Sequence, residues 1–247
     1  MVEGGGVNRG RARLSCTASA ARSHFRLEVS RTTNRLYPMF LDLQGRRCLV
    51  VGGGRVAERK AAGLLEAGAR VRVVAPEIGP DLTRRAEAGE LAAETRPFAE
   101  ADLDGAFLVI AATDDEAVNG AVWRMARERG VLCNVVDQPG RCDFHAPAVL
   151  RRRRLQVAFS TNGQAPAVGA ALRDAVDAAF GETFERAVEA GAALRERIRR
   201  RHPDDARRRM ALQARLVDRA ALLEALRSGD RSSLDSILDS WTSCPLD

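Results

Sequence analysis

Residues 48–65 read CLVVGGGRVAERKAAGLL: an apolar run, three consecutive glycines, then apolar and charged residues at helical spacing. Gly52, Gly54 and Ala57 stand at the spacing G-x-G-x-x-A. In a strand-turn-helix unit the first glycine permits the tight turn, the second lets the backbone approach a pyrophosphate, and the small third residue lets helix and strand pack closely. Both flanks that the motif requires are present, an apolar strand before it and a helix after it. The competing reading is a structural turn that holds no ligand. Lys60, in the same stretch, is the only lysine in a chain crowded with arginine.

The pattern repeats downstream. VRVVAP (71–76), LAAETRPF (91–98), FLVIAAT (107–113) and VLCNVVD (131–137) alternate with helical spacing in VAERKAAGLLEAG (56–68), GPDLTRRAEAG (79–89) and AVNGAVWRMARERG (117–130). Nearly unbroken Val/Ile/Leu runs point to strands buried on both faces, hence a parallel sheet covered by helices. The expected fold is α/β, a Rossmann-type doubly wound parallel sheet. After Pro147 the rhythm changes. PAVLRRRRLQVAFST (147–161) reads as two strands joined by a basic turn, and APAVGAALRDAVDAAF (165–180) as a helix opened by Pro166. Beyond 181 the chain is helical and arginine-rich, interrupted by HPDD at 202–205. Four segments are therefore expected: 1–35, an extension; 36–145, the nucleotide-binding domain; 146–180, a small α+β segment; and 181–247, a helical domain and tail.

Residues 1–35 have no sustained apolar periodicity and carry only Glu3 and Glu28 as acids. The composition imitates a transit peptide. A disordered tail or a start codon placed too far upstream fits equally and is preferred, with the native chain expected to begin near Leu36 or Met39. No apolar run approaches the roughly 18 to 20 residues that span a bilayer, so no membrane association is expected. The formal charge of +6 and pI near 9.7 suit an acidic small-molecule substrate. Nucleic acid is not expected as a partner: the arginine-rich tail lacks interleaved aromatics and any recognisable reading motif. Cys16, Cys48, Cys133, Cys142 and Cys244 show no CxxC pair and no zinc-like spacing. No metal site is expected, and a reducing cytoplasm is the expected compartment.

The acid that would grip the adenine ribose is missing from its usual place, because the second strand ends in Ala75 and Pro76; Glu77 lies just beyond. Arg70 and Arg72 leave a phosphorylated ribose open, so the motif does not decide NAD against NADP. In ATDDEAVN (112–119), Thr113 and Glu116 have capping-box spacing. Thr113, Asp114 and Asn119 also fall where the carboxyl ends of parallel strands line a ligand crevice. NVVDQPGRCDFHAP (134–147) puts Asp137 at the end of the fifth strand, where a carboxylate can accept a proton while a hydride leaves for nicotinamide. His145 is a second candidate base. The alternatives are a loop Asp that caps a turn and a His packed locally. RRRR (151–154) reads as a solvated turn or as guanidinium forks for anions. STNGQAP (160–166) offers Ser160, Thr161 and Asn162 at a helix start, either as caps or as an anion seat.

Taken together, LVVGGGRVAERKAAGLLEAGARVRVVAP, LVIAATDDEAVN, CNVVDQPGRCDFHAPAV and FSTNGQAPAVGAALR resemble, in order and spacing, the precorrin-2 dehydrogenase / sirohydrochlorin ferrochelatase family, the dehydrogenase module of siroheme synthases. The match spans residues 37–180, with weaker helical similarity beyond. The resemblance implies NAD-dependent oxidation of precorrin-2 to sirohydrochlorin, in some members followed by insertion of ferrous iron, carried out by a homodimer. It implies that Gly52, Gly54, Arg55, Val56 and Ala57 hold the pyrophosphate, Pro76 and Glu77 border the adenosine, and Asp137, with His145, does the proton chemistry. Asn134, Ser160, Thr161 and Asn162 are the expected tetrapyrrole contacts. Some relatives have a serine at the place of Thr161. The methyltransferase domain fused in some siroheme synthases is absent from this sequence. A different class, a non-catalytic NAD-sensing Rossmann module, is the alternative.

Overall fold

The structure is a computed structural model and describes residues 36–228 and 230–246; the extension expected at 1–35 lies outside the described residues. The valine and leucine runs become strands because they offer no polar face to water. β1 (Arg47–Val51), β2 (Arg70–Ala75), β3 (Ala92–Thr95), β4 (Leu108–Ala111) and β5 (Leu132–Val135) form one parallel sheet in the order β3-β2-β1-β4-β5. Val50, Val73 and Leu82 lie in one core layer with Ala57, Ala61 and Leu64 of α1 (Arg55–Glu66), Leu82 coming from α2 (Pro80–Glu87). Val51, Val74 and Val109 lie in the opposite layer with Val122 and Ala126 of α3 (Glu116–Glu128). The sheet is thus wound on both sides, and strand order reverses between β1 and β4, the place where such sheets open a ligand crevice.

The return from β3 to β4 has no full helix, only a 3-10 turn at Glu100–Leu103. Asp102 fastens it. Its carboxylate, on a side chain 3% exposed, accepts from Arg96 at 2.7 and 2.9 Å and from the Ala99 N–H at 2.8 Å, and its carbonyl accepts from Arg72 at 2.6 Å. The Arg96 hydrogen bonds hold the Asp102 carboxyl below its ordinary range.

Past the sheet, β6 (Ala148–Arg152) and β7 (Leu155–Phe159) pair antiparallel. The basic turn between them is solvent-exposed and anchored through two of its arginines. Arg152 grips Asp177 through two 2.8 Å hydrogen bonds, and Arg153, left-handed at φ 43°, pairs with Glu185 and Glu189. Those three acids lie on α4 (Pro166–Arg201), which runs unbroken for 36 residues, so the segment boundary expected at 180 falls inside one helix. α4 ends at the HPDD interruption, and α5 (Ala206–Leu216) starts at Asp205, whose carboxylate accepts from the Arg208 N–H at 2.8 Å. With α6 (Arg219–Ser228) and α7 (Arg231–Ser243) it buries Leu194, Ile198, Leu212, Leu234 and Trp241 in a separate core.

Candidate functional site

A crevice of about 370 Å³ opens at the carboxyl ends of β1, β2 and β4, lined by Gly52, Gly53, Gly54, Arg55, Val56, Ala75, Pro76, Glu77, Ala112, Thr113 and Asp114. The glycines have distinct tasks. Gly52 turns the chain at φ 127°, and a Cβ there would overlap the Ala112 carbonyl; a Cβ on Gly53 would overlap the Glu77 carbonyl. Gly53 in turn accepts from the Gly79 N–H at 2.9 Å, which binds the loop after β2 to the loop after β1. Gly54 has open space where its Cβ would be and forms the N-cap of α1 with no side chain capping the helix. The first N–H groups of α1 therefore have no side-chain acceptor, and together with the helix dipole they make an anion seat. Ala57, fully buried, lets α1 approach the sheet closely. This cradle fits a dinucleotide pyrophosphate.

Pro76 and Glu77 border the crevice on the β2 side, and Glu77 is exposed there with no hydrogen bond or ion pair to its carboxylate among the described residues. Arg70 and Arg72 do not serve a ribose phosphate. They sit at the opposite end of β2, lining a second cavity of about 380 Å³ with Arg47, Asp102 and Asp104, and Arg72 is committed to Glu94 and Asp102. Five steps of roughly 3.3 Å separate Arg70 from Ala75.

On the β4 side the expected capping box is replaced. Asp115 is the N-cap of α3, its carboxylate accepting from the Ala117 and Val118 N–H groups. Thr113 pairs instead with Asn119: the hydroxyl donates to Asn119 Oδ1 at 2.8 Å, and Asn119 Nδ2 donates to the Thr113 carbonyl at 2.8 Å. Asn119 is buried and is not among the residues lining the crevice. It fixes the rim, while Thr113 and Asp114 face the crevice.

The next strand end continues this rim. Val136 donates to the Ala111 carbonyl at 3.0 Å, and Asp137 follows directly. Asp137 is exposed and left-handed at φ 60°, and its carboxylate takes no hydrogen bond or ion pair among the described residues. The loop around it is tightly held. Asn134 Nδ2 donates to the Phe144 carbonyl at 2.8 Å, the Cys133 N–H donates to Asp143 at 2.9 Å, and the Cys142 thiol donates to the Val135 and Gln138 carbonyls. The amide of Asn134, buried to 7% exposure, thus braces the loop from inside rather than reaching a ligand. Burial pushes the Cys133 thiol up to about 12 and the Cys48 thiol up to about 11, so neither offers a thiolate. No three His, Cys, Asp or Glu side chains gather into a metal site among the described residues.

His145 stands half-buried with its ring about 3.5 Å from the place a Cβ would take on Gly163, which brings the 160–165 loop beside the Asp137 loop. That second loop is self-braced. Ser160 Oγ accepts from the Asn162 N–H at 3.2 Å, and Thr161 Oγ1 accepts from the Ala165 N–H at 3.0 Å. Both hydroxyl oxygens thus accept from the loop's own backbone, and Asn162 is exposed and left-handed. Gly53, Asp115 and Cys142 add to the residues expected from the sequence; the middle glycine of the GGG run and the acid pair Asp114–Asp115 are the local signals for the first two.

Residues 39–148 match the model of a putative NAD(P)-binding family. The chain is 41% identical over 198 residues to a siroheme synthase of Chromobacterium violaceum, covering 80% of this chain and 42% of that one. It is 38% identical over 210 residues to a siroheme synthase of Salmonella arizonae, covering 85% and 46%. The chain spans less than half the length of these curated relatives. Among solved structures, SirC, a precorrin-2 dehydrogenase, superposes with a TM-score of 0.65 at 26% identity, covering 85% of this chain and all of that one. With the parallel sheet, its glycine cradle and the braced Asp137 loop already in place, these likenesses support placing the chain in the precorrin-2 dehydrogenase / sirohydrochlorin ferrochelatase family.

Proposed function

We propose that this protein oxidises precorrin-2 to sirohydrochlorin with NAD as acceptor, a step of siroheme biosynthesis. One observation carries the assignment: next to a dinucleotide crevice stands a solvent-facing carboxylate, Asp137, that no described residue engages while everything around it is fastened. The oxidation removes a hydride and a proton, and bound NAD supplies the hydride acceptor. Asp137 takes the proton, with His145 as the second base. The α1 N-terminus and Gly54 seat the pyrophosphate; Glu77 holds the ribose and disfavours a phosphate there, which supports NAD over NADP. Ser160, Thr161 and Asn162, beside His145, receive the acidic tetrapyrrole. The same pair of bases can accept the two pyrrole protons released when ferrous iron enters sirohydrochlorin, iron being a substrate.

The reading includes a homodimer in the cytoplasm. Val168 and Leu172, four residues apart on α4, are 53% and 49% exposed beside a two-stranded ribbon that would be marginal alone. No helix among the described residues is long and apolar enough to cross a membrane.

The test is to supply precorrin-2 with NAD, then sirohydrochlorin with ferrous iron, and follow each absorbance change. NAD reduction in the first reaction is expected. Binding of NAD with no reduction under any condition would refute the dehydrogenase and favour a sensor.

A further inference from the structure

The second cavity, of about 380 Å³, opens at the far end of the sheet from the glycine cradle, beside the 3-10 return to β4. Its floor is one face of β1 and β2. Residues two apart along a strand share a face, so Arg47 stands on the face of Leu49, and Arg70 and Arg72 on that of Val74, Leu49 and Val74 being buried in one core layer. Arg47 and Arg70 are register partners on these neighbouring parallel strands, which run roughly 4.8 Å apart. Arg72 is engaged by Glu94 and Asp102, and the Asp102 carboxylate in turn by Arg96 and the Ala99 N–H. Arg47 and Arg70 make no side-chain hydrogen bond or ion pair among the described residues. The Arg47 guanidinium lies across Gly105, its Nη1 2.8 Å from where a Cβ would stand, so the turn before β4 leaves room for it. Like charges directly opposite on paired strands repel. An anion seated between these two would turn that repulsion into attraction.

We propose that Arg47 and Arg70, in this cavity, form a binding site for a small phosphate monoester, separate from the NAD crevice. A carboxylate has two oxygens and is filled by the fork of one guanidinium. A phosphate monoester keeps three terminal oxygens, enough to accept from both arginines at once. The cavity has the volume of sites that hold small organic ligands, which leaves space beyond the phosphate for the group it esterifies. Ala92 and Ala106 give that space an apolar wall. Asp104, exposed at the rim and 3.8 Å from Arg129, can accept from a hydroxyl of that group. The balance of charge stays positive, because three arginines and two aspartates line the cavity. One phosphate cannot serve both sites, for they lie at opposite ends of β2, five steps of roughly 3.3 Å apart.

Calorimetric titration of the full-length protein, with NAD present to fill the α1 seat, tests the site with glycerol 3-phosphate, inorganic phosphate and acetate. Glycerol 3-phosphate is expected to bind at one site, inorganic phosphate more weakly, and acetate not measurably. Arg47→Gln and Arg70→Gln are each expected to weaken glycerol 3-phosphate about tenfold, and the two together to remove its binding. The double variant Arg207→Gln, Arg208→Gln, which takes the same charge from exposed residues of the helical part, is expected to bind as wild type does. Equal loss in the two double variants would reduce the effect to net charge and overturn the site, as would absence of glycerol 3-phosphate binding in wild type. Inorganic phosphate bound as tightly as the ester would overturn the monoester. Phenylglyoxal labelling of the unaltered protein, read by mass spectrometry, needs no variant to fold: glycerol 3-phosphate is expected to protect Arg47 and Arg70 and to leave Arg207 and Arg208 reactive. Labelling of Arg47 and Arg70 at an unchanged rate would overturn the site. Failure of NAD to bind would count against the dehydrogenase reading alone, since protection of Arg47 and Arg70 is read without it.

Discussion

A carboxylate at φ 60° is held in a conformation that most side chains avoid, and Asp137 keeps it in a loop fixed on both sides by Asn134, Cys142 and Asp143. Two substitutions separate the chemistry from the strain. Asp137→Asn, which tolerates the same backbone, is expected to abolish turnover while NAD affinity, read by fluorescence titration, stays within about twofold. Asp137→Gly is expected to be equally inactive but more stable, by roughly 0.5–1 kcal/mol, because glycine adopts positive φ without strain. A Gly variant less stable than wild type in urea unfolding would mean that the Asp137 side chain helps hold the fold. The sequence was informative about this residue because its position after VLCNVV follows from strand periodicity. It was less so for Thr113 and Asn119. Which oxygen caps α3 depends on a two-residue shift of the helix start between Thr113 and Asp115, and the pairing of Thr113 with Asn119 follows from that shift.

At the level of elements, the five strands and the helices between them were legible because each apolar run has one length and one role. The Gly-rich turn refines into two different glycines. Gly52→Ala is expected to destabilise the protein by about 2–4 kcal/mol, since its Cβ would strike the Ala112 carbonyl at a positive φ. Gly54→Ala meets open space and is expected to stay within about 1 kcal/mol of wild type, yet lose tenfold or more in NAD affinity, about 1.4 kcal/mol, because the added methyl group enters the pyrophosphate seat. Calorimetric unfolding and NAD titration of both variants check the division. The 3-10 return to β4 was not legible, for besides Arg96 just before it the turn is held by Arg72 on β2, far from Asp102 in sequence. Asp102, lowered in the folded state, contributes stability that is present above the ordinary carboxylate range near pH 4 and is lost as pH falls through its folded value. Asp102→Asn is expected to cost about 1–3 kcal/mol at pH 7 and to flatten the loss of stability below pH 4; an unchanged acid unfolding curve would count against this anchor.

Across the whole molecule, the ribbon and the helical part share α4, and the exposed pair Val168 and Leu172 marks the surface proposed to meet a second copy. Leu172→Glu is expected to shift sedimentation from dimer to monomer, with the stability of the isolated sheet domain unaffected; a wild-type protein that sediments as a monomer at micromolar concentration would dismiss the dimer. That α4 would pass through residues 180 and 181 unbroken was not legible, because the composition changes there and a helix can carry such a change without ending. Its continuity makes the far helices a matter of phase. At about 100° and 1.5 Å per residue, one residue inserted midway along α4 would swing α5, α6 and α7 by more than a quarter turn about the helix axis while shifting them only about 1.5 Å along it. Seven inserted residues would lengthen the rod by about 10.5 Å and return those helices to within about 20° of their original bearing.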